Sequence, residues 1–387
     1  MRFPEFKGEW KTALLGDILT FKNGLNCEAE KYGKGIKSIS VSDVLQLEPI
    51  TYSSVRNSVE ATEQQKEEFK VSYGDVLFQR SSETPEDIGQ SNVYLDQQPC
   101  VFGGFVIRGK AIKSFNPLFF KYLMKTQSAR REVIKRGAGA QHYNIGQGQL
   151  SSVSIKMPTK EEQRKISAVL QLIDKRIEVQ RKTIEELENT KDTLFRAIFE
   201  DAFNEKIALG DVLVESTERT TRIHEYTVLS STVKGIFQQE EYFKRQISSQ
   251  NDIGYKVLRR NQIVFSPQNL WMGNINLNET FDVGMVSPSY KVYSLCGKVS
   301  PVYMAGLLKS SRMKYEYSLC SEQGASVVRR NLDIEAFLQI AIPIPSKSAQ
   351  AKAIRILSTL KSRISIETKE LFDLENVKQY LLSNLLI

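Results

Sequence analysis

Five short segments of this chain occur twice, in the same order, and that duplication constrains the fold more than any single motif. Leu15-Gly16-Asp17-Ile18-Leu19 returns as Leu209-Gly210-Asp211-Val212-Leu213, and Gly74-Asp75-Val76-Leu77-Phe78 answers to Asn261-Gln262-Ile263-Val264-Phe265. Asn116-Pro117 corresponds to Ser300-Pro301, and Gly137-Ala138 with Asn144 to Gly324-Ala325 with Asn331. Met157-Pro158 and Gln163 correspond to Ile344-Pro345 and Gln350. From residue 74 onward most pairs share one register; the Asn-Pro/Ser-Pro pair is out of it by the length of a short loop difference. A repeat this long is not a solenoid. It is one mixed module followed by one helix, used twice, which implies two-fold pseudosymmetry within a single chain.

The expected class is α+β, with two globular α/β domains alternating with two long helices that pair as an antiparallel coiled coil. The boundaries read as 1–157 for the first domain, 158–203 for the first helix, 204–345 for the second domain and 346–387 for the second helix. Short β-branched stretches (Lys37 to Val41, Phe102 to Val106, Lys291 to Tyr293) alternate with turn signals. Asn116 and Ser300 each stand where an N-cap belongs, before a proline at the first helical position. Each domain closes on a strand-like run ending in proline, Val153 to Pro158 and Ile340 to Pro345.

After each closing proline a heptad runs without internal Gly or Pro. In the first helix one seam is Leu170, Ile177, Ile184, Lys191, Ile198, and the interleaved set is Ile166, Ile173, Gln180, Leu187, Leu194. In the second the sets are Leu357, Ile364, Leu371, Lys378, Leu385 and Ala353, Leu360, Glu367, Leu374, Leu381. The polar interruptions fall at matching places, a pattern that costs stability but fixes register. Phe195, Phe199, Ile354, Ile356 and Phe372 widen the apolar face, either for partner helices or to cover the adjacent domain. A heptad core of about 33 residues is about 50 Å long at 1.5 Å per residue. That matches about fifteen base pairs of B-DNA.

Charge and composition narrow the partners. The net charge is +8 and the pI near 9.1, which favours polyanions, nucleic acid first. The four cysteines form no CxxC pair and the two histidines are too few for a His-rich metal site, so no metal centre is expected. Scattered cysteines, and no apolar run long enough for a signal peptide or a membrane span, suit a cytoplasmic location.

These residues carry a resemblance. Two variable modules alternate with two similar helices, each introduced by a strand, a proline and a helix-start glutamine. Gly284-Met285-Val286-Ser287-Pro288-Ser289-Tyr290-Lys291-Val292-Tyr293, Leu-Gly-Asp near each module start and Gly-Ala…Asn before the last strand complete the set. Together they resemble the specificity (S) subunit of Type I restriction-modification systems, over the whole chain. The resemblance implies that each module is a target recognition domain reading one half of a split double-stranded DNA site. It implies that the helices set the spacer and dock two methyltransferase (M) subunits, and that restriction (R) motor-nuclease subunits join them. S-adenosylmethionine, ATP and Mg²⁺ are then expected in those partners, with no cofactor and no catalytic residue in this chain.

Candidate DNA contacts follow from residue chemistry: Lys and Arg for phosphates, forked polar groups for base edges. In the first module they are Gln79, Arg80, Ser81 and Ser82 after a strand, and Lys135, Arg136, Gln141, His142, Tyr143 and Asn144 in a Gly-loosened loop. In the second they are Gln268 and Asn269, with Trp271 adjacent, and Gln323, Ser326, Arg329, Arg330 and Asn331. Lys121, Lys125, Arg130, Arg131, Lys309, Arg312 and Lys314 on the preceding helices suit backbone contact. Tyr143 and Trp271 also suit local packing.

Catalytic readings are weaker. Asn116-Pro117-Leu118-Phe119 is similar to the Asn-Pro-Pro-aromatic motif of amino-methyltransferases, but the second proline is missing and the counterpart Ser300-Pro301-Val302-Tyr303 lacks the Asn. Helix capping explains both copies. No Gly-rich strand-turn-helix or P-loop lysine is present, and Glu83, Glu86 and Asp87 read as a solvated turn. The competing class is a coiled-coil scaffold whose duplicated modules bind proteins.

Overall fold

A computed structural model of the chain describes residues 2–139, 142–201, 205–243, 251–297, 299–323 and 329–386. The chain forms two compact units, residues 1–180 with 370–387, and residues 181–369. Both are built on the same frame.

In the first unit, β1 (Lys11–Leu14) pairs antiparallel with β6 (Ser154–Met157). A four-stranded antiparallel sheet then runs in the order β2 (Leu19–Asn23), β5 (Val106–Ala111), β3 (Val76–Gln79), β4 (Ser91–Val93). In the second unit, β7 (Glu205–Ala208) pairs antiparallel with β12 (Ala341–Ile344). The sheet order there is β8 (Leu213–Glu215), β11 (Lys291–Leu295), β9 (Ile263–Phe265), β10 (Ile275–Leu277). Strand for strand the two orders are the same.

The repeated motifs are the joints of this frame. Leu15 and Leu209 are fully buried, and the Asp two residues on accepts from the backbone N–H before the turn: Asp17 from Leu14 at 3.1 Å, Asp211 from Ala208 at 3.2 Å. The glycine between them is needed for close approach. A Cβ on Gly16 would lie 3.0 Å from the Ser151 Cβ, and one on Gly210 3.2 Å from the Leu338 Cβ. The helix-start glutamines are clamps. Buried Gln163 donates to the Pro158 carbonyl (2.9 Å) and accepts from the Asn116 N–H (2.9 Å). Gln350 donates to Pro345 (2.9 Å) and accepts from Ser300 (3.1 Å). Each clamp ties the closing strand to a helix start across the module.

Helices α1 (Pro117–Leu123) and α4 (Pro301–Leu308) open at those prolines, each followed by a second helix, α2 (Gln127–Ile134) and α5 (Ser311–Leu319). The Asn116 side chain caps α1 by accepting from Phe119 N–H at 2.9 Å. The Ser300 side chain makes no such bond, contrary to expectation, although its backbone N–H is held by Gln350 just as that of Asn116 is held by Gln163. Some strand runs also differ from expectation. The strand ending at Ile39 gives way to a helical turn from Val41 to Leu45, and Phe102 to Val106 is a turn between two strands.

The long helices are α3 (Lys160–Glu200) and α6 (Lys347–Leu385). All twenty heptad positions named above are buried or half-buried, Gln180 and Glu367 included. Within the first unit the two helices run antiparallel. Ile166 and Leu170 share a core with Leu382 and Leu385, while further along α3 Asp174 pairs with Lys378 (2.5 Å) and Arg176 with Glu370 (2.7 Å). Within the second unit Leu194 and Ile198 share a core with Leu357 and Ala353. Phe195 is fully buried there, 6.3 Å from Tyr303 by ring centroids, so its apolar surface covers its own module. Ile354 joins the same core, whereas Ile356 and Phe372 stay exposed.

Candidate nucleic-acid interface

In the first module two loops that are far apart in sequence meet. The segment Ser81–Ser82, just past β3, pairs antiparallel with Tyr143–Asn144. Ser81 Oγ donates to Asn144 Oδ1 at 2.8 Å, and the Ile145 N–H donates to the Arg80 carbonyl at 3.0 Å. Asn144 also bridges back to Ala138, closing the glycine-bearing loop on itself. His142 and Asn144 are exposed; Arg80, Ser81 and Tyr143 are half-buried. Gln79 is buried, with its amide N–H on the Ser81 carbonyl (2.7 Å) and its Oε1 lacking a partner. Ser82 is buried as well and donates to the Thr84 carbonyl (2.6 Å). Lys135 and Arg136 both pair with Glu132 (3.0 and 2.8 Å), and Arg136 also donates to Ser152. Those two cations are therefore partly neutralised inside their own module.

In the second module the equivalent loops meet by a different contact. Pro267–Met272, just past β9, forms a short helical turn against the antiparallel pair Ser321–Gln323 and Arg330–Leu332. The Arg330 guanidinium lies 4.1 Å from the Trp271 ring centroid. Gln323 stands opposite Arg330, and Glu322 opposite Asn331. Gln268, Gln323, Arg329 and Asn331 are exposed, Asn269 and Trp271 half-buried. Gln141 and Ser326 lie outside the described residues, as do Gly324 and Ala325 of the repeat.

The cations assigned to backbone contact separate into two groups. Lys121 is 2% exposed and donates to the Leu47 carbonyl at 2.5 Å; burial pushes its ammonium down to about 8. Lys309 donates to the Val233 and Gly273 carbonyls (3.0 and 3.1 Å), and burial lowers it to about 8 as well. Burial also lowers Lys125, and Arg130 is spent on the Glu86 and Ile88 carbonyls. Lys121, Lys309 and Arg130 hold their modules together and are poorly placed for phosphates. Arg131 remains exposed. Sequence reasoning missed Phe105. It is 70% exposed, and its carbonyl accepts from the Arg80 N–H at 2.9 Å. The signal was the Gly103-Gly104 pair before it, which marks a tight turn that pushes its next side chain outward.

With this geometry established, residues 7–189 match the family described as Type I restriction modification DNA specificity domain. The match spans just under half of the chain, the first module and most of the first long helix. The second module repeats the frame of the first, and the fold as a whole has counterparts. A crystal structure of the S subunit of a Type-I restriction-modification system from M. genitalium aligns over 100% of this chain and 97% of its own, at 16% identity and a TM-score of 0.53. A chain from a structure concerned with complex assembly and conformational transition of the type I R-M system aligns over 98% and 97%, at 12% identity and a TM-score of 0.56. No curated protein sequence matches the chain. Among the described residues, no helix is long and apolar enough to cross a membrane and no cluster of His, Cys, Asp or Glu is arranged to hold a metal.

Proposed function

We propose that the chain is the sequence-reading subunit of a Type I restriction-modification enzyme, with each module reading one half of a bipartite DNA site and the paired helices setting the gap. The observation that carries this reading is the match of the first module to a DNA specificity domain in a chain whose second module has the same strand order. One reader built twice is what a split site requires. The polar loops that meet past β3 and β9 are the proposed contact surfaces, with Arg80, Ser81, Tyr143 and Asn144 in one and Gln268, Asn269, Trp271, Gln323, Arg330 and Asn331 in the other; Gln79 and Ser82 are buried and support the first loop from beneath. Base edges are read by such groups, and phosphates by surrounding cations.

Chemistry belongs to partners in this proposal. Two methyltransferase subunits supply adenine methylation with S-adenosylmethionine, and motor-nuclease subunits use ATP and Mg²⁺. Docking surfaces for them are supported by apolar side chains off the heptad seams: Leu172, Phe372 and Tyr380 in the first unit, Ile356 and Ile366 in the second, all more than 40% exposed. A modest net charge of +8 spread over two modules favours DNA binding shared with those partners.

The test is a genome-wide map of N6-methyladenine in cells with and without the chain. Loss of one split motif with a fixed gap on deletion is the expected result. An unchanged map, with the partner methyltransferase expressed and active, would refute the proposal and favour a protein-binding scaffold.

A further inference from the structure

We propose that Arg330 reads a guanine in the second half-site, with Trp271 as the platform that holds its guanidinium flat for the task. The proposal rests on the reading of the chain as a DNA specificity subunit and adds a base identity to it.

Several features fix this pair in place. The turn carrying Trp271 ends at Gly273, whose φ of 84° lies in the left-handed region that favours glycine, and whose N–H donates to the Leu270 carbonyl at 2.7 Å. Arg330 starts a strand paired to Gln323. Between these two supports its guanidinium stacks at 4.1 Å on the indole.

The hydrogen-bonding state of Arg330 is unusual. Its Nε is buried with no partner, and among the described residues no carboxylate or carbonyl accepts from its guanidinium. Three other arginines of the module are spent at home. Arg259 forks onto Glu218 (2.9 and 2.6 Å), Arg260 bonds Asp282 and the Glu279 carbonyl, and Arg219 bonds the Gly254 carbonyl. An unpartnered Nε beside a pre-stacked, part-exposed guanidinium is costly to keep unless an acceptor arrives at that group.

The acceptor pattern that fits a planar fork is two oxygen or nitrogen atoms side by side. In the major groove guanine presents N7 and O6 in that arrangement, and no other base offers two adjacent acceptors. A phosphate would take the same fork. However, a point charge on a flexible stem serves phosphates as well, whereas an aromatic platform that fixes the plane matters for a flat base edge. At the equivalent place the first module has Tyr143, so the two half-sites are predicted to differ at this contact.

The experiment uses the full chain in complex with its methyltransferase subunit, selecting DNA from a library randomised in the second half-site and constant in the first. The wild-type complex is expected to prefer guanine at one position by about 5- to 150-fold, the range of a bidentate contact. Arg330→Lys and Arg330→Ala should bring that position close to parity and leave the others intact. Trp271→Phe should keep the preference and Trp271→Ala should weaken it. Retained selectivity elsewhere shows that each variant is folded. Uniformly weaker binding with all base preferences kept would identify a phosphate contact and overturn the proposal, as would an unchanged preference at every position. A wild-type complex that selects no split motif would overturn both this proposal and the reading beneath it.

Discussion

At one point of the first module Tyr143 faces Ser82 across a two-residue strand pair; at the same point of the second, Arg330 stacks on Trp271. The frames around these contacts hardly differ. Both have the same sheet order, the same Leu-Gly-Asp joint, and a glutamine bonded to the same two backbone groups. The contrast separates two kinds of constraint. Joints satisfy buried backbone groups and admit few side chains. The loops beyond the sheet need only satisfy each other, and two unrelated chemistries do so. Under the proposed function, a frame held constant with exchangeable tips lets one architecture read different sequences.

The largest expected effect breaks the comparison at the helices. Phe195 fills the core of the second unit from α3, and we expect Phe195→Ala to cost about 3–5 kcal/mol there. The chain has two tryptophans, Trp10 in the first unit and Trp271 in the second, so single-tryptophan variants report each unit's denaturant unfolding separately. The midpoint reported by Trp271 should fall and that by Trp10 should hold. An equal fall at both would show that the units do not unfold independently.

A smaller effect is pH-dependent. Lys121 sits at about 8 in the folded unit against 10.5 for the ordinary ammonium. Between those values the unfolded chain binds more protons than the folded one, so stability rises with pH across that window. The rise from this group should be roughly 1–3 kcal/mol by Trp10 fluorescence, and Lys121→Met should flatten it. A slope unaffected by the substitution would assign the titration to another group.

An effect of similar size sharpens the likeness. Gln163→Ala and Gln350→Ala each remove two hydrogen bonds in a buried setting and should each cost about 1–3 kcal/mol in their own unit. Similar losses would establish the clamp as a shared joint. A loss in one unit alone would mean that only that module depends on it.

Much of the frame was legible because it is written locally. The seams recur at a period of 3.5, and the joints are short motifs repeated in order. What stayed hidden depends on distant partners. Ser81 and Asn144 are 63 residues apart in the chain, and nothing in either segment names the other. The same holds for Trp271 with Arg330, and for Lys121, whose acceptor is the Leu47 carbonyl. A lysine on a helix reads as a solvated cation until the fold buries it. Ser300 likewise has the chemistry of a side-chain cap, yet its side chain makes no cap bond, and nothing in the structure explains the difference from Asn116.

The most direct test of independent reading by two modules is the methylation motif in cells carrying the Arg329→Ala, Arg330→Ala double variant. The account predicts an unchanged first half-site, an unchanged gap and a relaxed second half-site. Equal loss of specificity in both halves would contradict it.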